Sequence, residues 1–541
     1  MKILEVTVSE SVPSVSRRRF LQSVGVSGGA GALFATMGAL GLAPTATAAV
    51  PAFAPPRAGD LQVTGRSAGR VVVLGAGIAG LTAAYELGKA GYQCTVLEAR
   101  DLAGGRSLTV RHGTSETDLD SNVQRADYQP GTYFNAGPAR IAQWMVTMDY
   151  CRELGVPVEV FTNANANALI YNENSGMPPE SAVRYRTAKA DMYGYVAELL
   201  AKATDQGALD DALTSTDKDR LLSFLQSFGA IGGRSSGWAY GGTTRRGYLS
   251  DPGAGNDAGV PLGAPPPLSE VFASNVGRYF SFELGYDQAM LMFQPVGGMD
   301  RIVAALVRAI GPASVRTGAE VTELVDGVNG VTVTYRRGGR LRRIEADFCV
   351  AALPPHLMAR VTHNLGASVQ DALGRFPASP AGKIGIEYRS RWWERDLRIY
   401  GGITETDLDL AHIWYPSHDF HAERGLIVGY YNTGSAARTY GSLTPAQRHE
   451  RAIDQGMKIH GERYRTEAGA SFSVAWHRVR HLEGAWVSAP YGTAAYDLLL
   501  RPAGRVYFAG DWLSRTVAWQ HGAFLSARSV VTAIHSRVLT G

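Results

Sequence analysis

Gly75-Ala76-Gly77-Ile78-Ala79-Gly80 is a GxGxxG run. It stands directly after a short apolar stretch, Val71 to Leu74, and directly before residues of helical pattern, Leu81 to Lys89. In that setting the glycines let the backbone approach a pyrophosphate, and the helix N-terminus turns partial positive charge toward it. Alone the motif is weak. A second apolar stretch, Gln93 to Leu97, ends in Glu98, an acid at the spacing at which a carboxylate holds an adenosine ribose through its hydroxyls. A ligand-free glycine turn beside a surface glutamate leaves the register of strand, turn, helix, strand and acid unexplained.

Gly104-Gly105-Arg106 follows at close range and adds backbone and guanidinium contacts to a diphosphate, which separates FAD from NAD. Far downstream, the strand-like Val506-Tyr507-Phe508 runs into Ala509-Gly510-Asp511, then Ala518-Trp519 and a small-residue helix start at Gly522-Ala523. The two elements together resemble the flavin amine oxidase superfamily, in which the C-terminal acid is usually Glu; here it is Asp511. The resemblance implies FAD, held by Gly75, Gly77, Ala79, Gly80, Glu98, Gly105, Arg106, Gly137, Pro138, Ala139, Arg140, Val321, Gly510, Asp511 and Trp519, with Asp511 accepting from the ribityl region.

The stretch Gly131 to Ile141, with Gly137-Pro138-Ala139-Arg140, resembles the L-amino acid oxidase branch, phenylalanine oxidase included. There the arginine grips the substrate carboxylate, and a planar guanidinium suits that bidentate contact. The plainer reading is a solvated arginine opening a helix, because Ile141, Trp144 and Met145 follow at helical spacing. The resemblance gives the second carboxylate donor as Tyr430; Tyr431 is its neighbour, and strand alternation sends the two to opposite faces. Gly382-Lys383-Ile384, followed by Trp392-Trp393, resembles the element whose lysine holds a water against the flavin; a buried lysine that sheds its charge suits such chemistry. Ala518 and Trp519 are expected to line the substrate, the first accepting from its amine and the second walling the cavity.

These residues need a scaffold assembled from distant parts of the chain. Apolar or β-branched runs return at Val331 to Tyr335, Phe348 to Leu353, Ile384 to Tyr388 and Leu426 to Tyr431, so late strands must join or face the first one. Between Asp205 and Phe228 the pattern is helical, with Leu221, Leu222, Leu225 and Phe228 on one face and Thr216-Asp217 as its start. The fold class expected is α/β: a Rossmann-type FAD-binding domain of residues 70–120, 285–378 and 470–541, a mixed-sheet substrate domain of 121–180 and 379–469, and a helical subdomain of 181–284.

The 541 residues, 45% hydrophobic with 63 glycines, support a large core rich in tight turns. The net charge of +4 is small, and +2 of it sits in the first 48 residues, which argues against a nucleic-acid footprint. Ser16-Arg17-Arg18-Arg19-Phe20-Leu21, a weakly apolar stretch from Val24 to Leu42 and Ala46-Thr47-Ala48 match a twin-arginine export signal with its cleavage site. That route carries folded proteins, as a flavoprotein loaded in the cytoplasm requires, and places the product in the periplasm or outside the cell, with no membrane attachment. Residues 49–69 read as linker or propeptide. Cys94, Cys151 and Cys349 are too scattered for a disulfide framework or a metal cluster.

The reading that joins these features is an exported FAD-dependent oxidase that converts an L-amino acid and O2 to the 2-oxo acid, ammonia and hydrogen peroxide, with a homodimer implied by the resemblance. Alternatives stay open: an amine or polyamine oxidase, an oxygenative decarboxylase of aromatic amino acids, or a secreted flavoprotein without turnover. Trp414, Tyr415, Trp519 and Trp238 make a large or aromatic side chain conceivable.

Overall fold

The computed structural model describes residues 69–173 and 182–540. The twin-arginine segment and all but the last residue of the 49–69 linker lie outside them. The chain divides into two compact units, whose described parts are residues 186–277 in one and 69–173, 182–185 and 278–540 in the other.

In the larger unit, Val71, Val72, Val73 and Leu74 are all buried because their strand, Arg70–Leu74, is central in a parallel sheet covered on both faces. The strand order is Val315–Arg316, Gln93–Leu97, Arg70–Leu74, Phe348–Ala351, Val506–Phe508, with Val72 paired to Thr95 on one side and Cys349 on the other. The Ile78–Lys89, Asp300–Ile310 and Gln520–Thr540 helices pack one face through Leu81, Leu87, Ile302, Leu306, Phe524 and Val531. Leu324, Val331, Val333 and Tyr335 cover the other from a four-stranded sheet. The GxGxxG turn follows the third strand in that order and Gly510-Asp511 the fifth, so both lie at carboxyl ends of parallel strands, the place where open α/β sheets hold ligands.

A seven-stranded sheet carries the other half of the site, in the order Ala468–Ala475, Ala381–Tyr388, Gly425–Thr433, His412–Trp414, Ile403–Thr406, Leu169–Tyr171, Val183–Arg184. The antiparallel pair Ala381–Tyr388 and Gly425–Thr433 changes register once: Gly385 faces Val428, Ile384 faces Tyr430 and Lys383 faces Tyr431. Gly429 is the extra residue of a bulge.

In the smaller unit, the Ser215–Gly229 helix is capped by Thr214, whose hydroxyl accepts from the Asp217 N–H at 3.2 Å. The helix thus starts just before the expected Thr216, and the residues from Gln206 to Ala212 are turns. Leu222 and Leu225 enter this unit's core with Tyr195, Trp238 and Tyr240, whereas Phe228 is partly exposed and stacks on Tyr193. Trp238 donates to Asp205 at 3.0 Å and serves the packing of this unit.

Candidate active site

Each glycine of the first turn has its own task. Gly75 takes φ +95°. A Cβ on Gly80 would collide with the Gly75 carbonyl, so Gly80 exists for close packing of helix on strand. Gly77 has no neighbour there and opens onto a cavity of about 500 Å³, within the ordinary range of cofactor pockets. Glu98 stands at its edge, one oxygen accepting from the Ala76 N–H at 2.8 Å and the other from the Arg100 N–H at 2.9 Å; burial raises its pKa despite these bonds. The Gly104 N–H donates to the Ala76 carbonyl at 2.8 Å, which ties the glycine-arginine element to the first turn. A Cβ on Gly137 would strike the Arg106 carbonyl, so only glycine lets these two walls meet.

The cavity is lined by Gly75, Gly77, Ala79, Glu98, Val321, Gly105, Arg106, Gly137, Pro138, Lys383, Gly510, Asp511, Ala518 and Trp519. A glycine turn with a buried acid, a glycine-arginine element, a lysine and a tryptophan on one lining is a donor set that fits FAD. Gly80, Ala139, Arg140 and Tyr430 are not on this wall. Ala139 belongs to the core behind the parallel sheet. Trp476, which donates from its indole to the Ala136 carbonyl at 3.0 Å, is a wall residue with no motif to announce it.

Tyr430 requires correction. It lies with Ile384 and Tyr440 in the apolar cluster on the opposite face of the sheet, fully buried. The tyrosine of the cavity is Tyr431, directly across from Lys383. Simple alternation puts residue 430 on the side of Leu426 and Val428; the bulge at Gly429 reverses it.

Lys383 is 3% exposed and donates to the carbonyls of Gly137 at 2.6 Å and Asn135 at 3.2 Å. Its nitrogen stands 4.8 Å from the Tyr431 ring centre and 4.7 Å from that of Trp414. Burial, reinforced by the Arg140 charge, lowers its pKa to about 7. Arg140 lies over the same Trp414 ring at 4.7 Å, and the Trp414 and Tyr431 rings meet edge to face at 5.2 Å. Burial of the guanidinium lowers its pKa to about 10, against the opposing pull of Tyr431, Glu405 and Asp287. Arg140 opens no helix; the next one starts at Val146, and Ile141 instead bridges to Phe293. Trp519 donates to Asp287 at 2.9 Å, a contact between segments that no sequence spacing announces.

A family model described as flavin-containing amine oxidoreductase matches residues 78–535. The chain belongs to this family. Among curated relatives, the putative L-amino-acid oxidase YobN of Bacillus subtilis (strain 168) is 25% identical over 478 residues, covering 86% of this chain and 94% of that protein. An L-amino-acid oxidase of Vipera ammodytes ammodytes is 26% identical over 469 residues, covering 83% and 89%. Among solved structures, cyclohexylamine oxidase from Brevibacterium oxydans IH-35A gives a TM-score of 0.57 at 17% identity over 87% of this chain and all of its own length. Putrescine oxidase bound to putrescine gives 0.57 at 18%, over 87% and 99%. The fold is therefore that of the flavin amine oxidases, and the chain is an FAD-dependent oxidoreductase.

Proposed function

We propose that this enzyme oxidises an L-amino acid at Cα, giving the imino acid, which water hydrolyses to the 2-oxo acid and ammonia, while O2 becomes hydrogen peroxide. The observation that carries this reading is Arg140. Its guanidinium lies 4.7 Å over the Trp414 ring, which Lys383 also meets at 4.7 Å and Tyr431 meets edge to face, so a planar cationic fork stands beside the lysine and tyrosine of the cavity, and such a fork suits a substrate carboxylate. An amine substrate has no carboxylate to meet it. The names of the curated relatives support the same choice. FAD, when bound, would supply the two-electron acceptor that links oxidation at Cα to reduction of O2.

The chain's own residues orient. Arg140 binds the carboxylate, the Tyr431 hydroxyl gives a second donor, and the Ala518 carbonyl accepts from the amine, so one face of Cα meets the cofactor. Lys383 holds its proton or releases it near neutrality at the floor of the site. The proposal includes export by the twin-arginine route, resting on Arg17 to Leu21.

Peroxide release from the purified, FAD-loaded protein, measured with the twenty L-amino acids and their decarboxylated amines, tests the reading. Turnover of the acids supports it, and turnover of the amines alone refutes it. Tyr431→Phe is expected to raise KM for the best amino acid about tenfold, the worth of one hydrogen bond to a charged group. Tyr430→Phe should leave KM in place, and the reverse ranking would restore Tyr430 to the site.

A further inference from the structure

Asp511 opens the turn after the last strand of the parallel sheet and is 3% exposed. Both its oxygens are engaged. Arg106 forms an ion pair with it through both terminal nitrogens, Nη1 reaching Oδ2 at 3.2 Å, and the Ala518 N–H donates to the same Oδ2 at 2.8 Å. Arg106 is fixed on another side as well, since Nη1 donates to the Ala485 carbonyl at 2.7 Å.

Ala518 has φ +70°. That left-handed backbone is unfavourable for any residue with a Cβ and persists only where its surroundings impose it. Two bonds do so here: the one from Ala518 N–H to Asp511, and the one from the adjacent Trp519 indole to Asp287 at 2.9 Å. Ala518 and Trp519 both face the cavity, and so does Arg106, which belongs to the glycine-arginine element of the nucleotide cradle.

We propose that Asp511 is a positioning residue for the substrate wall: through the Ala518 N–H it holds the Ala518-Trp519 turn in its left-handed form. Through Arg106 the same carboxylate ties that wall to the nucleotide cradle, so the two halves of the site are set against each other by one side chain. This role is separate from any contact of Asp511 with the cofactor. It requires only an FAD-dependent amine oxidoreductase and holds whether the substrate is an amino acid or an amine.

The test exploits the cost of the Cβ at residue 518. Asparagine loses the charge and replaces one of the two acceptor oxygens by an NH2 group, so it cannot keep both the two-pronged Arg106 pair and the Ala518 contact, and Asp511→Asn should raise KM about tenfold for whichever substrate the wild type oxidises. In an Ala518→Gly background the turn has no Cβ to strain it, and the same replacement should raise KM less than about threefold, the non-additivity expected of coupled residues. The dissociation constant of FAD from the apoprotein, followed by flavin fluorescence, should change by the same factor in both backgrounds. If KM rises equally in both, or fails to rise with alanine at 518, the proposal is overturned. Should Asp511→Asn not yield folded protein, Asp511→Glu keeps the charge and displaces it by one methylene. The same comparison of backgrounds then decides.

Discussion

Arg140→Ala is expected to retain FAD and to lose about a thousandfold in kcat/KM for L-amino acids, from a bidentate charged contact worth roughly 3–5 kcal/mol in a desolvated site. Retention of FAD is expected because the glycine turn, Glu98 and the glycine-arginine element that line the cavity are untouched by the replacement. The loss should appear in both KM and kcat. The guanidinium both binds the carboxylate and fixes which hydrogen faces the cofactor, so a loosely held substrate binds weakly and reacts slowly. Arg140→Lys keeps a charge without the planar fork and should recover only part of the loss. A decarboxylated amine is the control, because it has no carboxylate for Arg140 to meet. Its rate should be unaffected or rise once the buried cation is gone. Measurement requires steady-state peroxide release with both substrates and the flavin absorbance of each purified variant. An unchanged kcat/KM for the amino acid sinks the carboxylate assignment, and loss of flavin shows that Arg140 serves the cofactor site.

What the sequence exposed and what it concealed divide along a physical line. The strand from Arg70, the glycine turn, the helix and Glu98 were legible because each link is local: buried strands are continuous apolar runs, and the glycines answer steric demands within a few residues. Gly510-Asp511 was legible for the same reason, although its pairing with Arg106 was not. Tyr431 was concealed by one residue of register. Leu426 and Val428 share a face, and continuing their alternation assigns that face to position 430; the inserted Gly429 hands it to 431. A bulge is a property of two strands together, and the partner strand lies some forty residues upstream. Asp287 was concealed more thoroughly, since its contact with Trp519 spans 232 positions and follows no motif. The helix-like spacing after Arg140 also misled: Ile141 and Met145 are buried among the same core residues through a loop, not a helix.

Lys383→Met should lower kcat/KM about a hundredfold, the lower end of what a positioned proton-transfer group contributes, and should at the same time raise thermal stability. Both effects have one cause. Burial and the Arg140 charge depress the lysine's pKa from 10.5 to about 7, so above pH 7 the wild-type site holds a neutral amine able to accept a proton or hold a water. The kcat/KM profile of the wild type should therefore rise through a limb near pH 7. Methionine abolishes that limb, and titration of the substrate's own amine remains in both proteins as an internal reference. For stability, the folded state binds fewer protons than the unfolded chain between about pH 7 and 10.5, so wild-type stability increases with pH across that window and is flat below it. The stability advantage of Lys383→Met in the holoenzyme is thus largest below pH 7 and shrinks as pH climbs toward 10.5. Melting temperatures at pH 6 and pH 9 read this difference directly. A limb near pH 7 that persists in Lys383→Met assigns the titration to another group, and an advantage that grows with pH shows that Lys383 keeps its charge in the folded enzyme.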